Sequence, residues 1–185
     1  MILLVDLCYE KDSLSQYEFV HPIFDTLKRS GFSSEIRHFT ELERRERERF
    51  DRIVLTGTAL KDNDFAERID LFSWLAECRK PILGICAGMQ VISAVFGGQI
   101  VPQPAIGLEA ISIIRESALL GEPREIEGYH LHNYGVTLPE GFLLLAGKPG
   151  EVEAFCHPAR PIFGIVFHPE VRNRWIIERF AGLPF

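Results

Sequence analysis

Three side chains in this 185-residue chain have the types and surroundings that nucleophilic chemistry needs. Residues 82–98 read ILGICAGMQVISAVFGG. An apolar run ends at Cys86, and a helical pattern starts directly behind it. Gly84 and Gly88 bracket the thiol. A residue on a sharp strand-to-helix turn is held outward at the carboxyl end of a sheet, where flanking glycines relieve backbone crowding. The first amides and the positive dipole end of the next helix then point at the side chain, a setting that favours a thiolate nucleophile. The N–H of Ala87 is placed to help hold an oxyanion. A free cysteine is more often a buried core residue. The glycine bracket and the strand–helix junction favour the nucleophile.

A thiol nucleophile needs a base, and the base needs an orienting group. His168 lies in IFGIVFHPEV (162–171), after an apolar strand and before Pro169. Glu170 is two residues on, the spacing that puts two side chains on one side of an extended segment. It can hold the imidazole tautomer while the other ring nitrogen faces Cys86. His130 and His132 also stand two apart on one strand face. No third ligand accompanies them, so they read as hydrogen-bonded surface or site-lining histidines rather than a metal pair. His157 precedes Pro158 and reads as a turn residue. Cys8, Cys78 and Cys156 lack the glycine bracket.

These side chains need a frame that presents them together. Ile2–Val5, Ser34–Phe39, Ile53–Leu55 and Pro81–Ile85 read as short buried strands. Between them, helices are expected over Tyr17–Arg29, with Pro22 in its first turn or at a kink, over Asp64–Cys78, and over Ala87–Phe96. ELERRERERFDR (41–52) reads as a solvated helix or turn, with a partner-docking face as the sharper option. Alternation of doubly buried strands with helices implies α/β architecture, a mostly parallel central sheet flanked by helices. Beyond Gly98 the texture changes to short strands near 108–114, 125–130, 134–138, 142–146, 152–156 and 162–167. A smaller antiparallel portion is expected there, with a closing helix over Val171–Phe180. The GLPF end is free to pack on the domain or reach a partner. No repeat or linker divides the chain, so residues 1–185 read as one domain.

The bulk numbers exclude several functions. Hydrophobic residues make up 46% and charged residues 25%, which suits a folded globular chain. The net charge of −6 argues against broad nucleic-acid binding. No apolar run approaches the ~18 residues of a membrane span. The N-terminus reads as a strand rather than a signal peptide. Four cysteines without CxxC spacing speak against zinc or a disulfide framework, and a cytoplasmic location is expected.

GICAGMQ (84–90) together with FHPEV (167–171) resembles the class I (triad) glutamine amidotransferases, and the resemblance runs over nearly the whole chain. It implies a flavodoxin-like sheet in which Cys86 attacks the side-chain amide of glutamine and forms a glutamyl thioester. His168 would protonate the departing ammonia and then activate water, with Glu170 orienting it. Gly57 and Ala87 would give backbone N–H groups to the oxyanion. Gln90 and the main chain at Asn133, Tyr134 and Gly135 would bind the substrate. No metal or organic cofactor is implied. Ammonia would pass to a separate ATP-dependent synthetase partner. DLCYEKDSLSQYEFVHPIFDTLKRSGF, LPEGFLLLA and VEAFCHPARPIFGIVFHPEV look most like the branch serving GMP synthetase. Two stretches depart from the family: LTGTALKDND (55–64) stands where a Gly-Gly-Pro-like turn is usual, and GYHLHNYGVTLPEGF (128–142) lacks the aspartate of that branch. A stand-alone γ-glutamyl peptide hydrolase and a non-catalytic regulatory paralogue remain the other readings.

Overall fold

The computed structural model describes residues 1–184; Phe185, the end of the GLPF tail, lies outside the described residues. In chain order the elements are β1 (Ile2–Asp6), α1 (Leu14–Phe19), α2 (His21–Arg29), β2 (Ser34–His38), a 3-10 turn (Phe39–Glu41), α3 (Arg44–Glu48), β3 (Arg52–Leu55) and α4 (Asp64–Glu67). A 3-10 segment (Ile69–Ala76), β4 (Ile82–Ile85), α5 (Ala87–Val95), β5 (Ile100–Ile113), β6 (Arg124–Val136), β7 (Leu143–Lys148), β8 (Glu151–Cys156), β9 (Ile162–Ile165) and α6 (Trp175–Gly182) follow.

The strands form one continuous sheet in the order β2-β1-β3-β4-β9-β8-β7-β5-β6. From β2 to β9 all neighbours are parallel. From β9 to β6 all are antiparallel. The parallel strands are buried on both faces. Leu4, Val54, Leu83 and Ile85 join Ile23, Leu27, Ile176 and Phe180 of α2 and α6 on one side. Leu3, Val5, Ile53 and Leu55 join Phe65, Phe72, Met89 and Val91 on the other. This is why β1 and β4 read as unbroken apolar runs. No helix among the described residues is long and apolar enough to cross a membrane.

Several expected elements change shape. The helix over Tyr17–Arg29 is two helices that meet at Val20, and Pro22 sits in the first turn of α2, where its missing N–H costs nothing. The helix over Asp64–Cys78 is a single α turn followed by a 3-10 run, in which Ile69, Phe72 and Leu75 recur every third residue. The strands near 125–130 and 134–138 are one strand, β6, because β5 pairs with it from Ile113 back to Ile100 across a bulge at Pro102/Ala105. The closing helix starts at Trp175, four residues after Val171.

The order of the parallel strands matters most for function. β4 lies between β3 and β9, with Leu55 level with Gly84 and Ile85 level with Ile165. The segments leaving these three strands therefore emerge side by side at one edge. They begin at Thr56, Cys86 and Val166. In open α/β sheets, sites form at the carboxyl ends of such strands.

Candidate active site

Cys86 is the hinge between β4 and α5. Its backbone sits at φ 49, ψ −103, a left-handed conformation for a residue with a Cβ. The hydrogen bonds around it hold it there. Its N–H donates to Ile165 O at 2.8 Å, and its own carbonyl accepts from Gln90 N at 3.1 Å. The bracketing glycines answer to close packing. A Cβ on Gly84 would lie 2.5 Å from the backbone of Gly88, and one on Gly88 would lie 2.3 Å from Leu55 O. Side chains at either position would lift α5 off the sheet. Ala87 opens that helix, so its N–H has no partner among the described residues.

His168 follows β9. The strand ends at Ile165 and a turn covers 169–171, so the expected extended run to Phe167 is shorter. The i, i+2 pairing survives inside that turn, where Val171 N donates to His168 O at 3.2 Å. Nδ1 of His168 stands 2.7 Å from Oε1 of Glu170, and both residues are buried. Backbone N–H of His168 donates to Tyr129 O at 2.8 Å, which ties the turn to β6. Burial opposes a charge on this imidazole. The Glu170 carboxylate and the Cys86 sulfur beside it prevail, and its pKa lies well above the ordinary value. Nε2 of His168 is buried and has no hydrogen-bond partner among the described residues.

Gly57, leaving β3, completes the group. A Cβ there would stand 2.7 Å from Cε1 of His168 and 3.5 Å from Cβ of Cys86. The glycine thus lies against both. Its N–H, like that of Ala87, makes no hydrogen bond among the described residues. The loop that carries it differs from the family's usual turn, yet it is firmly anchored. Thr56 O accepts from Gly88 N at 3.2 Å. Thr56 Oγ1 accepts from Leu7 N at 3.3 Å. Buried Asp62 accepts from Thr58 Oγ1 and from Tyr9 N. Sequence reasoning missed Asp62 and the two threonines. The only signal for Asp62 is its place among the turn residues of KDND.

The free edge of β6 crosses in front of the thiol. Leu131 O lies 3.9 Å from Cys86 Sγ. Gln90 Nε2 donates to Tyr134 O at 2.9 Å, so this buried side chain binds α5 to β6. Asn133 Nδ2 donates to Leu60 O at 2.9 Å and bridges β6 to the loop after β3. A small cavity opens between these parts, with Cys86, Ala87, Gln90, His132, Asn133 and Tyr134 in its wall. Gly135 is not part of that wall. A Cβ on it would meet the side chain of Gln103 at 2.1 Å. His130 and His132 are both fully buried, and no group of three or more metal-ligating side chains occurs among the described residues.

The model of the family described as glutamine amidotransferase class-I matches residues 12–175. The chain belongs to the class I glutamine amidotransferases. Among curated relatives of this amidotransferase, a glutamine-hydrolysing GMP synthase subunit from Pyrococcus abyssi is 34% identical over 177 residues, 90% of this chain and 93% of the relative. The subunit of the same name from Thermoplasma acidophilum is 29% identical over 176 residues, covering 90% of this chain and 88% of its own. A crystal structure described as that of a putative GMP synthase subunit from Thermoplasma acidophilum superposes with a TM-score of 0.84 at 29% identity, covering 98% of this chain and 92% of that one. A glutamine amidotransferase from Thermotoga maritima shares the fold, with a TM-score of 0.71 at 19% identity, 95% of this amidotransferase and 80% of that chain.

Proposed function

We propose that this amidotransferase is the glutamine-hydrolysing subunit of a two-part enzyme, most akin to GMP synthase, and that Cys86, His168 and Glu170 are its catalytic residues. The observation that carries the reading is the meeting of three adjacent strand ends. Cys86 at positive φ, the buried His168–Glu170 pair and the Gly57 backbone lie within contact of one another.

The chemistry follows from that arrangement. Cys86 Sγ attacks the side-chain amide carbon of glutamine. The carbonyl oxygen becomes an oxyanion, which the unpartnered amides of Gly57 and Ala87 would receive. His168, held charged by Glu170, gives its proton from Nε2 to the amide nitrogen, and ammonia leaves. Water then attacks the thioester carbon while His168 takes one of its protons. The thiolate departs beside the recharged His168, and the product loses the second hydrogen of water as a proton to become glutamate. Glu170 keeps Nδ1 of the imidazole occupied throughout, which leaves Nε2 free for both transfers. The cavity beside Gln90, Asn133 and Tyr134 is small and bridged by the Asn133–Leu60 bond, which suits a free amino acid better than a γ-glutamyl peptide. The relatives named as subunits of glutamine-hydrolysing GMP synthase support a separate synthetase subunit as partner, and we take that partner to be the ATP-dependent acceptor of the ammonia. Free cysteines suit a reducing, cytoplasmic setting.

The test is glutamate release from glutamine by wild type and Cys86→Ala, alone and with an ATP-dependent GMP-synthetase partner plus its nucleotide substrates. Turnover that needs Cys86 and rises with the partner is the expected result. Turnover indifferent to that partner would redirect the search for the acceptor. No turnover in either setting would overturn the glutaminase reading and bring γ-glutamyl peptides forward as substrates.

A further inference from the structure

Beside the Cys86 cavity lies a second row of buried titratable groups that the mechanism above does not use. On β6, Nδ1 of His130 and Nε2 of His132 are 3.1 Å apart. On β8, Oε2 of Glu153 is 3.6 Å from Nε2 of His130, within ion-pair reach. Both imidazoles are almost wholly buried, and the Glu153 side chain is 17% exposed. His130 Nε2, His132 Nδ1 and Glu153 Oε2 have no hydrogen-bond partner among the described residues. At the other end His132 belongs to the wall of the Cys86 cavity. Three proton-carrying groups thus run in series from that cavity to a carboxylate that reaches solvent.

We propose that Glu153, His130 and His132 form a proton relay that removes the one proton left over when glutamine hydrolysis delivers its nitrogen as free ammonia. The inference rests on the glutaminase reading of the Cys86 site. The stoichiometry requires such an outlet. A primary amide plus water gives a carboxylate, ammonia and one proton. The C–N bond breaks, a C–O bond forms, one hydrogen of water ends on nitrogen and the other leaves as a proton. Ammonia is far more basic than a carboxylate. A proton retained in a closed site would convert it to ammonium, which is no nucleophile.

The ring geometry allows the transfer. Two imidazole nitrogens 3.1 Å apart need one N–H and one lone pair between them. With Glu153 protonated, His130 carries its hydrogen on Nδ1 and donates to His132. With Glu153 ionised, His130 carries it on Nε2 and accepts from His132. A proton that enters at His132 Nδ1 from the cavity therefore converts the second arrangement into the first: His132 passes its Nε2 hydrogen to His130, His130 passes its own to Glu153, and Glu153 releases it to solvent, after which both rings revert to their Nε2–H tautomers. The surroundings fit a relay that is neutral at rest. Burial and the nearby His168 charge push His130 down to about 4, and burial with His130 pushes His132 there too. Burial, with Glu109 on β5 and Glu151 on β8, raises Glu153 to about 7. Glu151 is itself paired with Lys148, and Phe167 covers His130.

Nitrogen-15 NMR of the intact protein reads the histidine tautomers directly, without glutamine. The expected result is that His130 and His132 exchange tautomers together between about pH 6 and about pH 8, and that Glu153→Gln abolishes the exchange. In glutamate release, Glu153→Gln and His130→Gln are expected to lower kcat about 10-fold near neutral pH with KM for glutamine unchanged, and to shrink the solvent-deuterium effect on kcat. Tautomers that ignore pH or Glu153 overturn the relay, as does a kcat–pH profile identical to wild type. A wild type that shows the tautomer exchange yet releases no glutamate overturns the glutaminase reading instead.

Discussion

Gly57 touches the imidazole of His168 so closely that a methyl group there would stand 2.7 Å from Cε1. His168 has no room to retreat. Its Nδ1 is bonded to Glu170, its backbone N–H to Tyr129 O, and the ring of Phe19 lies 5.6 Å away. Gly57→Ala therefore turns the imidazole rather than compressing the backbone. A displacement near 1 Å at a reacting group costs about 100-fold in rate. The expected outcome is a kcat for glutamate release lowered about 100-fold, with KM for glutamine and the thermal midpoint little changed. An alanine variant of full activity would show that the imidazole at this position takes no part in turnover.

Cys86 carries a second, opposite expectation. Its left-handed backbone costs on the order of 1–3 kcal/mol for any residue with a Cβ and almost nothing for glycine. At an ordinary buried position glycine trails alanine by roughly 1–2 kcal/mol, the sum of lost methyl burial and added chain entropy. The two effects are of similar size and opposed. Cys86→Gly is thus expected to match or exceed Cys86→Ala in a urea midpoint, while both lose glutamate release. A glycine variant that trails alanine by the ordinary margin would show that the elbow is unstrained.

The contrast between these residues and the rest of the site shows what a sequence can carry. The elbow at Cys86 is legible because its causes are local: a strand end, a helix start and two glycines within five residues. The His168–Glu170 pair is legible for the same reason, although a turn rather than an extended run brings the two together. Strand order is not local. Nothing in the sequence of β4 says that β3 and β9 flank it, yet that order sets Gly57 beside Cys86 and His168. Nor does ELERRERERFDR announce that only Arg44–Glu48 forms a helix, with Arg47 stacked 4.5 Å over Trp74. HNYG reads in sequence as main chain near the substrate. Its Gly135 packs against the side chain of Gln103, a neighbour that the pairing with Val101 brings up and that the sequence does not reveal. Glu153 escapes a sequence reading because a glutamate in EVEAFC gives no sign that two histidines lie above it.

Those three buried groups also predict how stability responds to pH. His130 and His132 have folded pKa values of about 4, below the unfolded value near 6.5. The unfolded chain binds their protons first as pH falls. Their stabilisation is complete above pH ~6.5 and is lost toward pH ~4. Glu153 runs the other way. Its folded pKa of about 7 exceeds the unfolded value near 4.3, so its contribution is present at acid pH and is lost as pH rises through about 7. Between pH ~7 and pH ~5 each histidine costs on the order of 2 kcal/mol, while Glu153 returns a similar amount. Wild type is therefore expected to lose only about 2 kcal/mol from this cluster over that interval. Glu153→Gln removes the compensating group and leaves both histidines. Its urea midpoint should fall about twice as steeply with acid as that of wild type. Parallel midpoint–pH curves for the two proteins would mean that Glu153 ionises as freely in the fold as in water.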